Sequence, residues 1–171
     1  MVKEEPAEYH QHKINRKIKD ISESVVLEYL KKENKLHEKS DPSEIFNFFT
    51  NLCLSCDVII KTPSIKKYKN CVYFGHTISK ESAYEGFLYF YDGKIYYGEF
   101  MNGLKNGLGV ELSPNENTTM KGEFRDGQKS GKFYMEKPSE KYIGFLENGL
   151  YQGEGRLTTD DYVFEGVFEK G

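Results

Sequence analysis

Residues 96–112 read YYGEFMNGLKNGLGVEL, and the spacing of the four glycines in this stretch decides the fold. A glycine-rich stretch invites comparison with a phosphate-binding loop. The dinucleotide-binding fingerprint requires Gly-x-Gly-x-x-Gly at the start of a helix, and a P-loop ends in Gly-Lys-Ser/Thr before a helix. Neither pattern is present, and the VELSP that follows is typical of a strand. The glycines therefore indicate a structural element rather than a ligand loop.

The same stretch recurs along the chain. The copies are centred on Gly98, Gly122, Gly144 and Gly166, at intervals of 24, 22 and 22 residues. Large apolar residues stand two positions before and two after each central glycine: Tyr96 and Phe100, Met120 and Phe124, Tyr142 and Leu146, Phe164 and Phe168. Further glycines follow at five, nine and eleven positions: Gly103, Gly107 and Gly109, then Gly127 and Gly131, then Gly149, Gly153 and Gly155, then Gly171. With a weaker copy around Gly75, the pattern predicts one degenerate repeat, three full repeats and a half.

Each repeat has the pattern of a β-hairpin. Side chains alternate along a strand, so the apolar residues on either side of the central glycine share one face with it. Because glycine has no side chain, a neighbouring strand or an aromatic ring is able to approach it closely. Turn dipeptides follow the first strand of each full repeat, and one more precedes the first of them: Asn102-Gly103, Asp126-Gly127, Asn148-Gly149 and Asp92-Gly93. The sequence therefore predicts a meander of antiparallel hairpins.

The segments YYGEFMNGLKNGLGVEL, MKGEFRDGQKSGKFYM and YIGFLENGLYQGEGRL resemble MORN repeats, which combine a Tyr-x-Gly-x-aromatic strand, an Asn/Asp-Gly turn and a Gly-x-Gly second strand. The resemblance covers residues 84–171 and departs from the pattern at Met120, at Phe133 and in the absence of Trp. It implies an elongated sheet of hairpins laid side by side. It also implies binding and assembly, since MORN proteins serve as scaffolds in cilia and other cytoskeletal structures, as junctional proteins between membranes, and as non-catalytic modules attached to enzymes.

The first 70 residues contain no glycine and have helical periodicity. One helix is predicted over residues 13–35 by the apolar positions Ile14, Ile18, Ile21, Val25 and Tyr29. A second helix is predicted from Asp41, which is suited to the N-cap, with Pro42 at the first helical position and Glu44 completing a capping box. Its apolar face comprises Ile45, Phe46, Phe48, Phe49, Leu52, Cys53 and Cys56. Residues 57–70 are expected to be extended and to act as a basic connector, because Pro63 disfavours helix.

The fold class predicted is therefore α+β, with an N-terminal helical arm over residues 1–70 followed by the β-hairpin meander over residues 71–171. Charge divides at the same boundary, since the first part carries 13 Lys and Arg against 11 Asp and Glu, and the second 11 against 16. An acidic sheet disfavours nucleic acid as a partner. The absence of a signal-peptide pattern, an odd count of three cysteines and no run of about 18 apolar residues favour a reducing, cytoplasmic location.

Sites for metals and catalysis have weak support in the sequence. Cys53-x2-Cys56 with Cys71 and His76 supplies four residues of the two types that bind zinc most often, but both helical cysteines fall on the apolar stripe, where a thiol behaves as a small hydrophobe. His10-x-His12 lies in a polar end segment and is expected to be solvated. No nucleophile–base arrangement is recognisable. The sequence predicts no enzyme activity, no cofactor and no metal site.

Binding is expected on the aromatic residues of the sheet. The candidate partner-binding residues are Tyr96, Phe100, Phe124, Tyr142, Phe164 and Phe168. A second candidate surface, for anionic lipid or an acidic partner, comprises Lys61, Lys66, Lys67 and Lys69. One face of the sheet is expected to be covered by the N-terminal helices or by another protein. The predicted function is a structural subunit of a cytoskeletal or ciliary assembly that binds a protein partner. The alternatives are a membrane-associated module binding anionic phospholipid and a regulatory subunit of an enzyme complex.

Overall fold

The computed structural model of the protein describes residues 22–33, 35–76 and 84–170. Within these ranges, two helices precede ten strands: α1 (Glu23–Lys32), α2 (Pro42–Ser55), β1 (Ser64–Lys67), β2 (Cys71–Gly75), β3 (Tyr84–Phe90), β4 (Ile95–Met101), β5 (Leu104–Ser113), β6 (Thr118–Arg125), β7 (Gln128–Lys137), β8 (Glu140–Glu147), β9 (Leu150–Thr159) and β10 (Val163–Phe168). The strands form one antiparallel sheet in the order of the chain, so the predicted meander is confirmed.

Tight turns join the two strands of each full repeat. In the first, Asn102 and Gly103 have φ angles of 53° and 80°, and the same left-handed pair recurs at Asp126-Gly127 and Asn148-Gly149. Two consecutive residues with positive φ define the hairpin turn that matches the twist of the strands. Each second strand then contains a bulge close to a further glycine with positive φ, as at Gly107 with φ 92°. The turn dipeptides thus act as the sequence predicts.

The second helix begins where the capping signals place it. Asp41 Oδ1 accepts hydrogen bonds from the main-chain N–H groups of Ser43 (2.7 Å) and Glu44 (2.9 Å), and Glu44 Oε2 accepts one from the Asp41 N–H (3.1 Å). This capping box satisfies N–H groups that have no partner within the helix. Most of the predicted apolar face is buried, although the side chain of Phe46 is half-exposed.

Of the predicted helix over residues 13–35, the described residues are helical from Glu23 to Lys32. The helix ends at Lys32, and the part of the prediction that concerns residues 13–21 lies outside the described residues. Its most buried residues are Val26 and Leu30 rather than the predicted Val25 and Tyr29. Tyr29 lies at the side of the helix, where its hydroxyl donates a hydrogen bond of 2.8 Å to the Phe48 carbonyl of α2.

The helices pack on one face of the sheet, here called the helix-covered face. Phe49 stacks on Phe74 of β2 with ring centroids 4.8 Å apart, and Phe48 meets Tyr89 of β3 edge-on at 5.2 Å. The core on this face includes the following strand residues: Val72, Phe74, Phe87, Tyr89, Ile95, Tyr97, Leu108, Val110 and Leu112. Of the two coverings expected for this face, the structure therefore contains the helices.

The helix cover extends over β2 to β5 and ends at β6. Val110 of β5 is in register with Lys121 of β6, which forms an ion pair with Glu23 at the start of α1. The same row continues as Tyr134, Ile143, Arg156 and Glu165. The residues of this row are apolar where the helices cover the sheet, and beyond the helices they include charged side chains. The distribution of apolar residues on this face therefore follows the extent of the helix cover. The structure also places β1 in the sheet, before the boundary near residue 70.

Candidate interaction surfaces

The opposite face of the sheet, here called the aromatic face, is organised by a row of glycines. Each member is in register with the next on the neighbouring strand, from β2 to β10: Gly75, Gly86, Gly98, Gly109, Gly122, Phe133, Gly144, Gly155 and Gly166. We call this the glycine row. The spacing between glycines in the sequence is therefore the spacing that keeps them aligned across the sheet.

A tyrosine ring lies over two glycines in the first and third full repeats. A Cβ atom added at Gly98 would lie 2.6 Å from the Tyr96 hydroxyl, and Gly109 is covered by the same ring. Because the two glycines leave room for the ring, the Tyr96 side chain is fully buried. Its hydroxyl donates a hydrogen bond of 2.9 Å to the Glu99 carbonyl. Tyr142 does the same over Gly144, donating at 2.9 Å to the Phe145 carbonyl. Burial raises the pKa of both tyrosines.

The middle repeat fills the same space from the other strand. It has Met120 where the other repeats have Tyr, and Phe133 where they have a second glycine. The Phe133 ring covers Gly122, so that an added Cβ there would lie 2.5 Å from the ring carbon Cγ. Phe133 is 1% exposed. The two departures from the repeat pattern therefore compensate each other, because the aromatic ring moves from β6 to β7 and still covers the glycine.

The rings of successive repeats contact one another along the aromatic face. Tyr96 meets Phe124 of the next repeat edge-on with centroids 5.0 Å apart, and Tyr142 meets Phe168 in the same way at 5.3 Å. Phe124 meets Phe133 at 5.4 Å. Edge-to-face pairs each add about 0.5–1.5 kcal/mol beyond the area they bury. The face therefore has a continuous core of its own, made of strand residues alone among those described.

A group of three charges lies within this aromatic layer. Glu111 accepts hydrogen bonds of 2.7 Å from both Lys105 and Lys129, and the three side chains are 13–24% exposed. The Lys105 ammonium also lies 4.7 Å from the centroid of the Tyr96 ring. Burial disfavours the ionised carboxyl of Glu111, but the two ammonium groups outweigh this and hold its pKa below the ordinary value. Burial lowers the pKa of Lys105. This group is absent from the sequence prediction, although both lysines occupy the seventh position after a central glycine.

The predicted partner-binding residues divide into two sets by exposure. Tyr96, Phe100, Phe124 and Tyr142 are at most 3% exposed, since they pack within the aromatic layer. Phe164 is 44% exposed and Phe168 is partly buried, both on β10. Other apolar side chains on this face are partly exposed and were not predicted: Leu88, Met120, Tyr151 and Leu157. These positions could have been recognised in the sequence because the residue type there changes from one repeat to the next.

The predicted lysine surface is divided by the sheet. Lys66 of β1 is in register with Tyr73 and so projects on the aromatic face, whereas Lys67 is in register with Val72 and projects on the helix-covered face. Lys67 donates a hydrogen bond of 2.8 Å to the Ser40 carbonyl, which joins β1 to the segment before α2. Lys61 and Lys69 are exposed on either side of the strand. The four lysines thus surround an edge of the sheet rather than forming one flat patch.

The cysteines are reduced and buried. Burial raises the pKa of the Cys53 thiol to about 12, and Cys56 donates to the Leu52 carbonyl at 3.0 Å. Within residues 22–33, 35–76 and 84–170, no group of three or more His, Cys, Asp or Glu side chains is arranged to hold a metal ion. Over the same ranges, no helix is long and apolar enough to cross a bilayer. His10 and His12 lie outside them.

Comparison with known proteins matches the sheet to a repeat family. The model of the MORN repeat matches residues 96–118, 121–132 and 142–162, and each match lies in one of the three full hairpin repeats. The chain carries MORN repeats. The middle match begins after Met120 and ends before Phe133, so it excludes the two positions that exchange the aromatic ring. MORN repeats are generally elements of protein or membrane-lipid interaction rather than of catalysis.

The MORN-repeat chain is similar to alsin, a longer protein. The alsins of Rattus norvegicus, Mus musculus and Homo sapiens are each 29% identical to it over 96 residues. The similarity covers 53% of this chain and 6% of the alsin chain. The chain therefore corresponds to a small part of the length of these relatives.

Proposed function

We propose that this chain is a non-enzymatic scaffold or adaptor that binds a segment of a partner protein on its aromatic face. The observation that supports this most is the unequal cover of the two faces. The helices pack against β2 to β5 on one face, whereas within the described ranges nothing but the sheet's own side chains contributes to the core on the aromatic face. MORN repeats are generally interaction elements, which agrees with such a role.

The accessible apolar groups of this face lie in one row. Leu88 on β3, Met120 on β6 and Leu157 on β9 share a register line that also includes the buried rings of Tyr96 and Tyr142. A partner segment crossing the strands along this row would meet apolar groups supported by a rigid layer of rings. Apolar contacts on a preorganised surface are the usual source of affinity in such complexes.

The experiment compares two double variants that differ only in the face they alter. Met120→Glu with Leu157→Glu places charge on the aromatic face, and Thr119→Glu with Thr158→Glu places it on the same strands but on the opposite face. Far-UV circular dichroism first establishes that both are folded. We expect proteins captured from the source cell by the wild type to be lost with the first variant and kept with the second. Equal capture by both variants would place the partner elsewhere.

The proposal extends to a structural role in a cytoskeletal or ciliary assembly. In that case the partners lost with Met120→Glu and Leu157→Glu are cytoskeletal proteins, and the wild type sediments with a detergent-resistant fraction. Recovery of the chain in the soluble pool alone would refute this location. A role as a regulatory subunit predicts instead that an enzyme co-purifies and that its activity depends on the aromatic face.

The exposed lysines around β1 support a second candidate, binding to anionic phospholipid. Because Lys66 and Lys67 project on opposite faces, binding of one face to a membrane should require only the lysine on that face. Lys66→Glu and Lys67→Glu are compared separately in co-sedimentation with phosphatidylserine vesicles. Binding that weakens with salt and with one variant only supports the candidate. Binding indifferent to salt and to both variants excludes it.

A further inference from the structure

The three charges of the aromatic layer, Lys105, Glu111 and Lys129, form a group with unequal numbers of positive and negative charges. We call them the lysine–glutamate group. Glu111 accepts a hydrogen bond of 2.7 Å from each lysine, and the three side chains are 13–24% exposed. A charge that is largely removed from water is costly unless it is paired. One carboxylate balances one of the two ammonium groups, so an excess charge of +1 is held within a layer of aromatic rings.

The aromatic face as a whole has the same sign of charge. On β2 to β10, strand register places the following charged side chains on this face: Lys105, Glu111, Lys129, Lys137 and Glu140. Lys137 and Glu140 pair with each other at 3.1 Å. The face thus has three lysines against two glutamates, whereas residues 71–171 together have 11 Lys and Arg against 16 Asp and Glu. Most acidic residues of this range therefore lie outside the aromatic face, which is left positive.

The lysine–glutamate group lies within the row of accessible apolar side chains. Glu111 on β5 is in register with Tyr96 on β4 and with Met120 on β6. Leu88 on β3 is the next residue of the row beyond Tyr96. Apolar groups that a partner is able to contact therefore flank the carboxylate on both sides, and a segment lying along the row passes over the charges.

The two lysines of the group differ in their surroundings. Lys105 Nζ lies 4.7, 5.2 and 5.6 Å from the ring centroids of Tyr96, Phe90 and Phe124. Lys129 is the more exposed lysine, and in the described residues it uses one of the three N–H donors of its ammonium group on Glu111. Lys129 is therefore the charge of this group that is most accessible to a bound segment.

We propose that the partner segment bound on the aromatic face carries an aspartate or glutamate between apolar residues, and that its carboxylate accepts a hydrogen bond from Lys129. This inference rests on the proposed function and names the chemistry of the partner. A second carboxylate gives the group two negative charges for its two ammonium groups. A phosphate group carries about −1.5 to −2 and would reverse the excess charge instead of cancelling it. Hydrogen bonds between ammonium and carboxylate groups are among the strongest in proteins.

The third full repeat has no such group, and this difference places the carboxylate on the sheet. The position of Lys105 and Lys129 in the repeat is occupied there by Tyr151, and the position of Glu111 by Leu157. We therefore expect the acidic residue of the partner to lie over the first and second full repeats and an apolar part of the partner to lie over the third. The bound segment then has one preferred direction along the row.

The first experiment uses a random peptide library displayed on phage and selected on the immobilised full chain. Peptides that use the aromatic face are those lost with Met120→Glu and Leu157→Glu and kept with Thr119→Glu and Thr158→Glu. We expect these peptides to share one Asp or Glu between apolar residues. Peptides of this class without an acidic residue in common would overturn the inference and leave the proposed function standing. If selection yields no peptide of this class, both are overturned.

The second experiment tests the contact with Lys129 by calorimetric titration. A selected peptide is compared with a version in which its acidic residue is replaced by the corresponding amide. We expect the wild type to bind the acidic peptide about 10- to 100-fold more tightly, as is usual for a hydrogen bond between charged groups. Lys129→Met is expected to bind the two peptides equally. Equal binding by the wild type, or unchanged discrimination by Lys129→Met, would overturn the proposal.

The matched control is Lys137→Met, which removes the same charge from the same strand and the same face. Lys137 is already paired one-to-one with Glu140, so this variant is expected to keep the discrimination between the two peptides. Loss of discrimination in both variants would indicate an effect of net charge and would contradict a specific contact. Because Lys105 still pairs with Glu111 in Lys129→Met, its urea midpoint is expected to stay close to that of the wild type. A purely structural role of Lys129 would not change the discrimination.

Two further probes distinguish the carboxylate from other anions. One is the selected peptide with phosphoserine at the acidic position, and the other is a vesicle containing phosphatidylserine. Tighter binding of the phosphopeptide that is lost with Lys129→Met would overturn the assignment of a carboxylate. Vesicle binding that is lost with Lys129→Met, while the acidic peptide still binds, would do the same. Preference for the acidic peptide over both probes supports the proposal.

Discussion

The exchange of the aromatic ring in the middle repeat makes a quantitative prediction. Phe133→Gly restores the usual glycine but leaves the space over Gly122 empty. Removing a buried Phe side chain costs about 3–5 kcal/mol, and glycine in a strand interior adds about 0.5–1 kcal/mol. Met120→Tyr alone adds a second ring where Phe133 already lies, and overpacking of this kind costs about 1–3 kcal/mol. Each substitution alone is therefore destabilising, although each makes the repeat more regular.

The double variant Met120→Tyr with Phe133→Gly is expected to be more stable than Phe133→Gly. A tyrosine at position 120 is able to cover the two glycines of the middle hairpin and to donate to the Glu123 carbonyl, as Tyr96 does to that of Glu99. We expect the second substitution to recover at least about 2 kcal/mol. The coupling between the two sites is this recovery plus the cost of Met120→Tyr alone, so it would be at least about 3 kcal/mol, the upper end for residues in contact.

The assay is urea unfolding followed by far-UV circular dichroism, with the free energy of unfolding of all four proteins compared. The reverse exchange in the first repeat, Tyr96→Met with Gly109→Phe, is the matched control, and the same sign of coupling is expected there. The explanation would be refuted if the free energies of the single substitutions simply added, because the rings would then not occupy a shared space.

Four further predictions concern charges and hydrogen bonds. Glu111→Gln is expected to cost about 3–5 kcal/mol of unfolding free energy because it leaves Lys105 and Lys129 buried without a counter-charge, whereas replacing all three residues by apolar ones of similar size is nearly neutral; urea unfolding distinguishes the two. Because the folded pKa of Glu111 is lowered, its carboxylate contributes to the free energy of unfolding above the unfolded pKa of about 4.3, and this contribution is lost as pH falls through the folded pKa. In the variant with three apolar residues, this part of the loss of stability in acid should be absent when unfolding is measured against pH. Asp41→Ala removes the N-cap and should cost about 1 kcal/mol in thermal or urea unfolding, and an unchanged midpoint would contradict the capping role. Glu99→Ala removes the acceptor of a 2.7 Å hydrogen bond from a β5 main-chain N–H and should cost about 1–3 kcal/mol, measurable in the same assay.

The sequence predicts those parts of the fold that depend on neighbouring residues. The Asn102-Gly103 turn, the Asp41 cap and the alternation around Gly98 each follow from the conformational limits of a few consecutive positions, and each is found in the structure. The exchange between Met120 and Phe133 was not predictable in this way. The exchange depends on the pairing of β6 with β7, which brings position 133 next to Gly122. In the sequence, Met120 and Phe133 are 13 positions apart and resemble two unrelated departures from the repeat.

The exposure of the candidate binding residues was harder to predict from the sequence than the fold, for a related physical reason. Repetition identifies residues that every hairpin needs, and such residues are needed because they pack against the next hairpin. Tyr96 and Tyr142 are therefore the best-marked positions of the aromatic face and also the most buried. The lysines around β1 have no periodic marker, and only strand register places Lys66 and Lys67 on different faces.

The glycine row also explains where specificity on this face has to lie. Each glycine makes room for a ring, and the ring fills that room completely, so the regular positions of the repeat are used within the sheet. The side chains left accessible are those at which one repeat differs from another, such as Leu88, Met120 and Leu157. A partner that binds this face therefore contacts the irregular positions of the row, and the regular positions determine how rigidly those contacts are held. Variation at the irregular positions is able to change the partner without changing the fold.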